Sequence, residues 1–140
     1  MMDGRPDIGD RKSVSSGPKL AVPVIEEKHE LCDFAMVSEY QGKGVDQHLT
    51  LQRWLLDNDP LTLAIEVPVW DDEWLGHIDI LRYDDETGKI SIYDFKPNAA
   101  AERNAASQLF RYRELLAAHL GIPAVEIEAA YFDENNFYKI

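Results

Sequence analysis

The chain has 140 residues, 45% of them apolar and 10% aromatic, enough for one globular domain with a packed core and too many for a disordered chain. Its net charge of −12 argues against a broad electrostatic grip on nucleic acid, which needs Lys and Arg, though not against a local basic patch. A single cysteine, Cys32, excludes an internal disulfide and any Cys-ligated metal or iron–sulfur cluster within one chain.

Residues 1–22 are rich in Gly, Pro, Ser, Asp and Lys and are expected to be a flexible N-terminal tail, with the domain over 23–140. The N-terminus lacks the apolar centre of a signal peptide, and no apolar run approaches the ~20 residues of a membrane span. A soluble, cytoplasmic protein without membrane contact is the expectation. Near-helical spacing of Leu31, Phe34, Ala35 and Val37 predicts a helix within 24–40, broken at 41–44. Asp46 is placed to cap a second helix bearing Leu49, Leu51, Trp54, Leu55 and Leu56, which ends at Asn58-Asp59-Pro60.

Three strands are expected next: Leu61–Trp70, Leu75–Leu81 and Lys89–Lys96, the last two joined by a hairpin over Asp84–Gly88. Alternation puts Asp94 and Lys96 on the face of Ile90 and Ile92, with Tyr93 and Phe95 on the other. An Ala-rich helix over 99–120 follows, with Ala105, Leu109, Tyr112 and Leu116 as its core stripe and Gly121 as its stop. Val125–Phe132 reads as a fourth strand and Phe137–Ile140 as a short fifth. The pattern of helix, helix, three-strand meander, helix and strand predicts an α/β (α+β) fold, a mixed central sheet flanked by helices.

Asp79, Asp94 and Lys96 stand among apolar neighbours on adjacent strands, where charge is costly. Two acids can offer hard oxygen ligands to Mg²⁺, with the Phe95 carbonyl as a third, and a lysine can stabilise charge at a phosphate under attack. The bland alternative is a structural ion pair on a solvated strand face.

The run Gly76-His77-Ile78-Asp79, then Asp94-Phe95-Lys96, then Gln108-x-x-x-Tyr112 resembles the PD-(D/E)XK nuclease superfamily, and its RecB-like branch above all. The resemblance covers roughly residues 45–132. It implies a restriction-endonuclease-like core and a metal-dependent nuclease that hydrolyses DNA phosphodiester bonds, as exonuclease or endonuclease. It implies Asp79 and Asp94 as metal ligands, Lys96 as catalytic, and Gln108 and Tyr112 as residues that hold the substrate strand and the site's geometry. The cofactor it implies is Mg²⁺, with Mn²⁺ as substitute and no iron–sulfur cluster. His48 and Glu66 match the upstream ligands of that branch, with Glu30 and Glu39 as competitors of His48. Arg103, Arg111 and Arg113 are candidate DNA contacts, against the simpler reading of solvated helix residues. DNA is the implied partner. A homodimer fits the habit of short superfamily members, and a helicase or repair partner would be a separate protein. The rival from another class is a non-catalytic nucleic-acid- or protein-binding module that retains the nuclease fold.

Overall fold

The computed structural model describes residues 22–41 and 46–140. The expected tail, up to residue 21, and the expected break at 42–44 lie outside the described residues. Strand β1 (Ile25–Glu27) precedes helix α1 (Glu30–Gln41) and helix α2 (Gln47–Asn58). Strands β2 (Thr62–Trp70), β3 (Leu75–Asp84) and β4 (Lys89–Phe95) follow, then helix α3 (Ala105–Leu120) and strands β5 (Ile127–Phe132) and β6 (Phe137–Lys139). The six strands form one sheet in the order β1-β6-β5-β4-β3-β2. Only β4 and β5 pair in parallel, across the α3 crossover, while the other neighbours are antiparallel. The fold is thus α+β with a mixed sheet, as the order of elements predicted. No helix among the described residues is long and apolar enough to cross a membrane.

Helices cover both faces of the sheet. On one face Leu31 and Ala35 of α1 and Leu51 and Leu55 of α2 pack on Ile80, Tyr93, Phe95, Phe132 and Phe137. On the other, Ala105, Leu109, Tyr112 and Leu116 of α3 pack on Val69, Ile78, Ile92, Ile127 and Ala129. The predicted stripe of α3 is therefore its buried face. Full burial of side chains such as Phe95 or Leu109 is worth roughly 2–3 kcal/mol each.

Local chemistry sets the element ends. The Asp46 carboxylate accepts the Leu49 N–H at 3.1 Å, the N-cap expected from sequence. Gly88 and Gly121 take left-handed φ of 76° and 70° at the hairpin and at the end of α3.

Several boundaries differ from expectation. Residues 25–27 are an edge strand instead of the start of α1. The helix expected from 99 is one 3₁₀ turn (Ala99–Ala101), and α3 starts at Ala105. The buried Asp133 carboxylate takes the Ala99 N–H at 2.8 Å, which pins this turn to the end of β5. Residues 124–126 are likewise a 3₁₀ turn ahead of β5. β3 runs on to Asp84, and β4 stops at Phe95, leaving Lys96 just beyond the strand.

A buried ion pair ties the helix pair to the sheet. Arg82 on β3 donates to both oxygens of Asp59, at 2.9 and 3.1 Å, and to Glu30 at 2.7 Å. Burial alone would raise the Asp59 carboxyl, but the bonds from Arg82 and Thr62 outweigh it and hold it below its ordinary value.

Candidate active site

The site lies where the alternation of β2 and β3 breaks. Ile78 and Ile80 are two residues apart, yet they pack into cores on opposite faces of the sheet. In a regular strand they would share a face. Their partners on β2, Val67 and Ile65, flank Glu66, whose φ of 51° is left-handed. That region is costly for a residue with a side chain, by ~1–3 kcal/mol. Asp79 stands opposite Glu66 at the same break.

The break frees Asp79 from an ordinary place in the ladder. Its Oδ2 accepts the Phe95 N–H at 3.1 Å, so the carboxylate leans on β4 at the Asp94–Phe95 step. The Nε2 of His48, in the first turn of α2, lies 3.5 Å from the same oxygen, and the His48 ring meets Phe95 edge-on at 5.2 Å. The bond to Asp79 raises the His48 pKa, burial opposes this, and the Asp79 charge and the Phe95 carbonyl add to the rise.

Asp94 is 2% exposed, and its Oδ1 has no hydrogen-bond partner. An unpaired buried carboxylate oxygen is rare in a folded protein and calls for a cause. Burial pushes the Asp94 pKa up to about 7, and the neighbouring Asp79 charge adds to it. Lys96 works in the opposite direction. Its backbone N–H continues the pairing with β5 through the Phe132 carbonyl (2.9 Å), and its Nζ donates to Gln108 Oε1 at 3.3 Å. The first turn of α3 thereby holds the lysine beside the two acids.

Tyr112 follows Gln108 by one turn on the same face. Burial raises its pKa, and the Asp94, Asp79 and Glu66 charges raise it further, so its hydroxyl stays a proton donor at every ordinary pH. Gly76 makes room for this ring. A Cβ at Gly76 would sit 2.5 Å from Tyr112 Cε1 and 2.5 Å from Trp74 Cη2.

The structure brings together Asp79, Asp94, the Phe95 backbone, Lys96, Gln108, Tyr112 and His48, with Glu66 at the margin. Glu30 and Glu39 do not join them: Glu30 is bound to Arg82, and Glu39 lies against Glu134. The three arginines disperse. Arg111 stacks over Trp74 at 5.0 Å, beside Tyr112, and Arg103 is exposed in the turn before α3. Arg113 lines a cavity of about 500 Å³ with Lys89, Ile127 and Glu128, toward the opposite end of β4 from Asp94, which removes the spatial basis for a shared phosphate contact. Cys32 is half-buried, and burial pushes its thiol up to about 11, which disfavours the nucleophilic thiolate.

Sequence reading passed over Gln52. It is 4% exposed, and its amide donates to Glu66 Oε2 at 2.7 Å and to the Asp79 carbonyl at 3.1 Å. The available signal was its place four residues after His48, on the same helix face.

Among the described residues no three His, Cys, Asp or Glu side chains form a ready-made metal cage. The donor set nevertheless suits a hard cation of the Mg²⁺ kind, which uses one or two carboxylates and keeps several waters. The unpaired Asp94 oxygen, the adjacent Asp79 carboxylate and the nearby Phe95 carbonyl are all oxygen donors. No protein-family model matches the chain, and no curated protein or solved structure is detectably similar to it.

Proposed function

We propose that the chain is a Mg²⁺-dependent deoxyribonuclease with a restriction-endonuclease-like core of the RecB-like type. The observation that carries the reading is the buried Asp94 carboxylate, one oxygen of which has no hydrogen-bond partner, set against Asp79, with Lys96 fixed alongside by Gln108. Two acids forced together away from water repel one another, and a cation between them relieves both the repulsion and the unmet hydrogen-bonding need. Mn²⁺ would substitute.

Asp79, Asp94 and the Phe95 carbonyl would hold the cation, with His48 on the Asp79 side and Glu66 at the margin, bound to Gln52. When bound, the ion would supply charge neutralisation at the phosphate and acidify a water. The chain's own groups do the rest. Lys96, oriented by Gln108, places a positive charge where the phosphate develops negative charge in the transition state. Tyr112, kept protonated, can donate a hydrogen bond to a phosphate oxygen. Arg111 on the Trp74 ring offers a cation beside the site for the neighbouring backbone phosphate.

Calorimetric titration of the purified chain with Mn²⁺ tests this reading. It expects one saturable site that is lost in Asp79→Asn and retained in Lys96→Met. Absence of saturable binding by the wild type would leave the acids as a structural cluster.

A further inference from the structure

The strained break in β2 and β3 is bridged by the buried side chain of Gln52. The geometry points to Gln52 as a positioning residue for the proposed metal site, with Glu66 acting as its holder and not as a direct ligand; this rests on the nuclease reading above.

Gln52 reaches the break from α2 with both of its amide N–H bonds in use. One goes to Glu66 Oε2 at 2.7 Å, the other to the Asp79 carbonyl at 3.1 Å. Register places Glu66 opposite Asp79 between the pairs Ile65–Ile80 and Val67–Ile78. The amide therefore ties both strands at the one point where both switch faces. The Asp79 carbonyl thus has a side-chain donor from α2 at the break. Its capture by Gln52 keeps the Asp79 backbone in the turned-out form, and that form delivers the Asp79 carboxylate to the Phe95 amide. The left-handed φ of Glu66 belongs to the same arrangement. Such a conformation persists only where its surroundings enforce it, and the Gln52 bond is the enforcement visible in the fold.

His48 and Gln52 share a face of α2, one turn apart. One helix thus presents an imidazole to the Asp79 carboxylate and an amide to the Asp79 carbonyl. Movement of α2 against the sheet would disturb both contacts together. Glu66 meanwhile commits an oxygen to Gln52, a neutral donor whose hydrogen bond does not require a negative charge on its acceptor.

Mn²⁺ titration of the full chain by calorimetry, beside DNA cleavage at saturating Mn²⁺, tests the assignment with three variants. Gln52→Leu keeps the bulk and removes the amide. Its Mn²⁺ affinity is expected to fall about 10–100-fold, the usual cost of losing a partner that orients a ligand, while kcat at saturating metal falls less than the affinity. Glu66→Gln keeps an acceptor for Gln52 and removes the charge, and its Mn²⁺ affinity is expected to stay within about threefold of wild type. Leu55→Val, on the same helix, loosens the core without touching the amide and is expected to leave Mn²⁺ affinity unchanged. Wild-type affinity in Gln52→Leu overturns the positioning role. A loss in Glu66→Gln as large as in Gln52→Leu makes Glu66 a ligand and overturns its assignment as holder. A loss in Leu55→Val matching that in Gln52→Leu reduces the effect to general loosening and overturns the proposal as well. A wild type that binds no Mn²⁺ fails the nuclease reading itself, a result separate from all three.

Discussion

Replacing Asp94 with asparagine should remove the site's chemistry and at the same time relieve the cation-free protein at alkaline pH. Burial and the Asp79 charge raise the Asp94 pKa from 3.8 to about 7. For a carboxyl whose folded pKa lies above its unfolded one, folding favours the protonated form. No penalty exists below the unfolded value. Stability is lost as pH climbs from there to the folded value, and the loss is complete above about pH 7. Between pH 5 and pH 8 the unfolded chain is already ionised, so about two pH units of that window remain, worth about 3 kcal/mol. Asn cannot ionise and escapes this loss. The swap carries its own cost, an imperfectly paired buried amide of ~1–3 kcal/mol, but that cost is the same at both pH values. The quantity to compare is therefore the wild-type-minus-variant difference at pH 8 less the same difference at pH 5, from urea unfolding in EDTA. The variant should gain about 3 kcal/mol on the wild type across that interval, and adding Mg²⁺ at pH 8 should stabilise only the wild type. A difference that stays constant to within about 0.5 kcal/mol between the two pH values would mean that Asp94 is not held in a charge-hostile site.

Three further outcomes follow from the packing. Gly76→Ala should destabilise by roughly 1–3 kcal/mol, seen as a lower melting temperature, because its methyl would meet the Tyr112 and Trp74 rings at 2.5 Å. Asp59→Ala should cost ~3–5 kcal/mol in urea unfolding, since among the described residues it leaves the buried Arg82 guanidinium with the exposed Glu30 as its one acidic partner, and the double change Asp59→Leu with Arg82→Met should recover most of that. Because the Asp59 carboxyl is held below its ordinary value, its contribution is present above about pH 4 and lost as pH falls through the folded value, so acid unfolding followed by circular dichroism should set in at a higher pH than for the double variant.

Much of the molecule could be read from the chain. The meander, the Asp46 cap and the stripe of α3 are local in origin: alternation, a side chain that reaches its own helix, and a period of 3.6. The acids and lysine stood out because charge among apolar neighbours needs a reason, and Gln108 and Tyr112 stood out through the resemblance to the Gln-x-x-x-Tyr pattern. What escaped depends on distant partners. β1 is three exposed residues whose strand character comes wholly from pairing with β6. The split between the turn at Ala99 and α3 depends on Asp133, 34 residues away. The burial of Arg82 depends on Asp59 and Glu30, which lie 23 and 52 residues away in the chain. The face switch at Glu66 and Asp79 left no mark in the pattern, because Ile65, Val67, Ile78 and Ile80 are apolar on either reading. Gln52 carries meaning only once that switch is seen.

The most direct test of the central claim is cleavage itself: purified chain incubated with Mn²⁺ on circular and linear, single- and double-stranded DNA, beside Lys96→Ala and an EDTA control. Metal-dependent loss of DNA by the wild type, absent with EDTA and in Lys96→Ala despite a normal unfolding profile, is the predicted result. Cutting that survives in Lys96→Ala, or a wild type inert on every form of DNA, would contradict the assignment of these residues to phosphodiester hydrolysis.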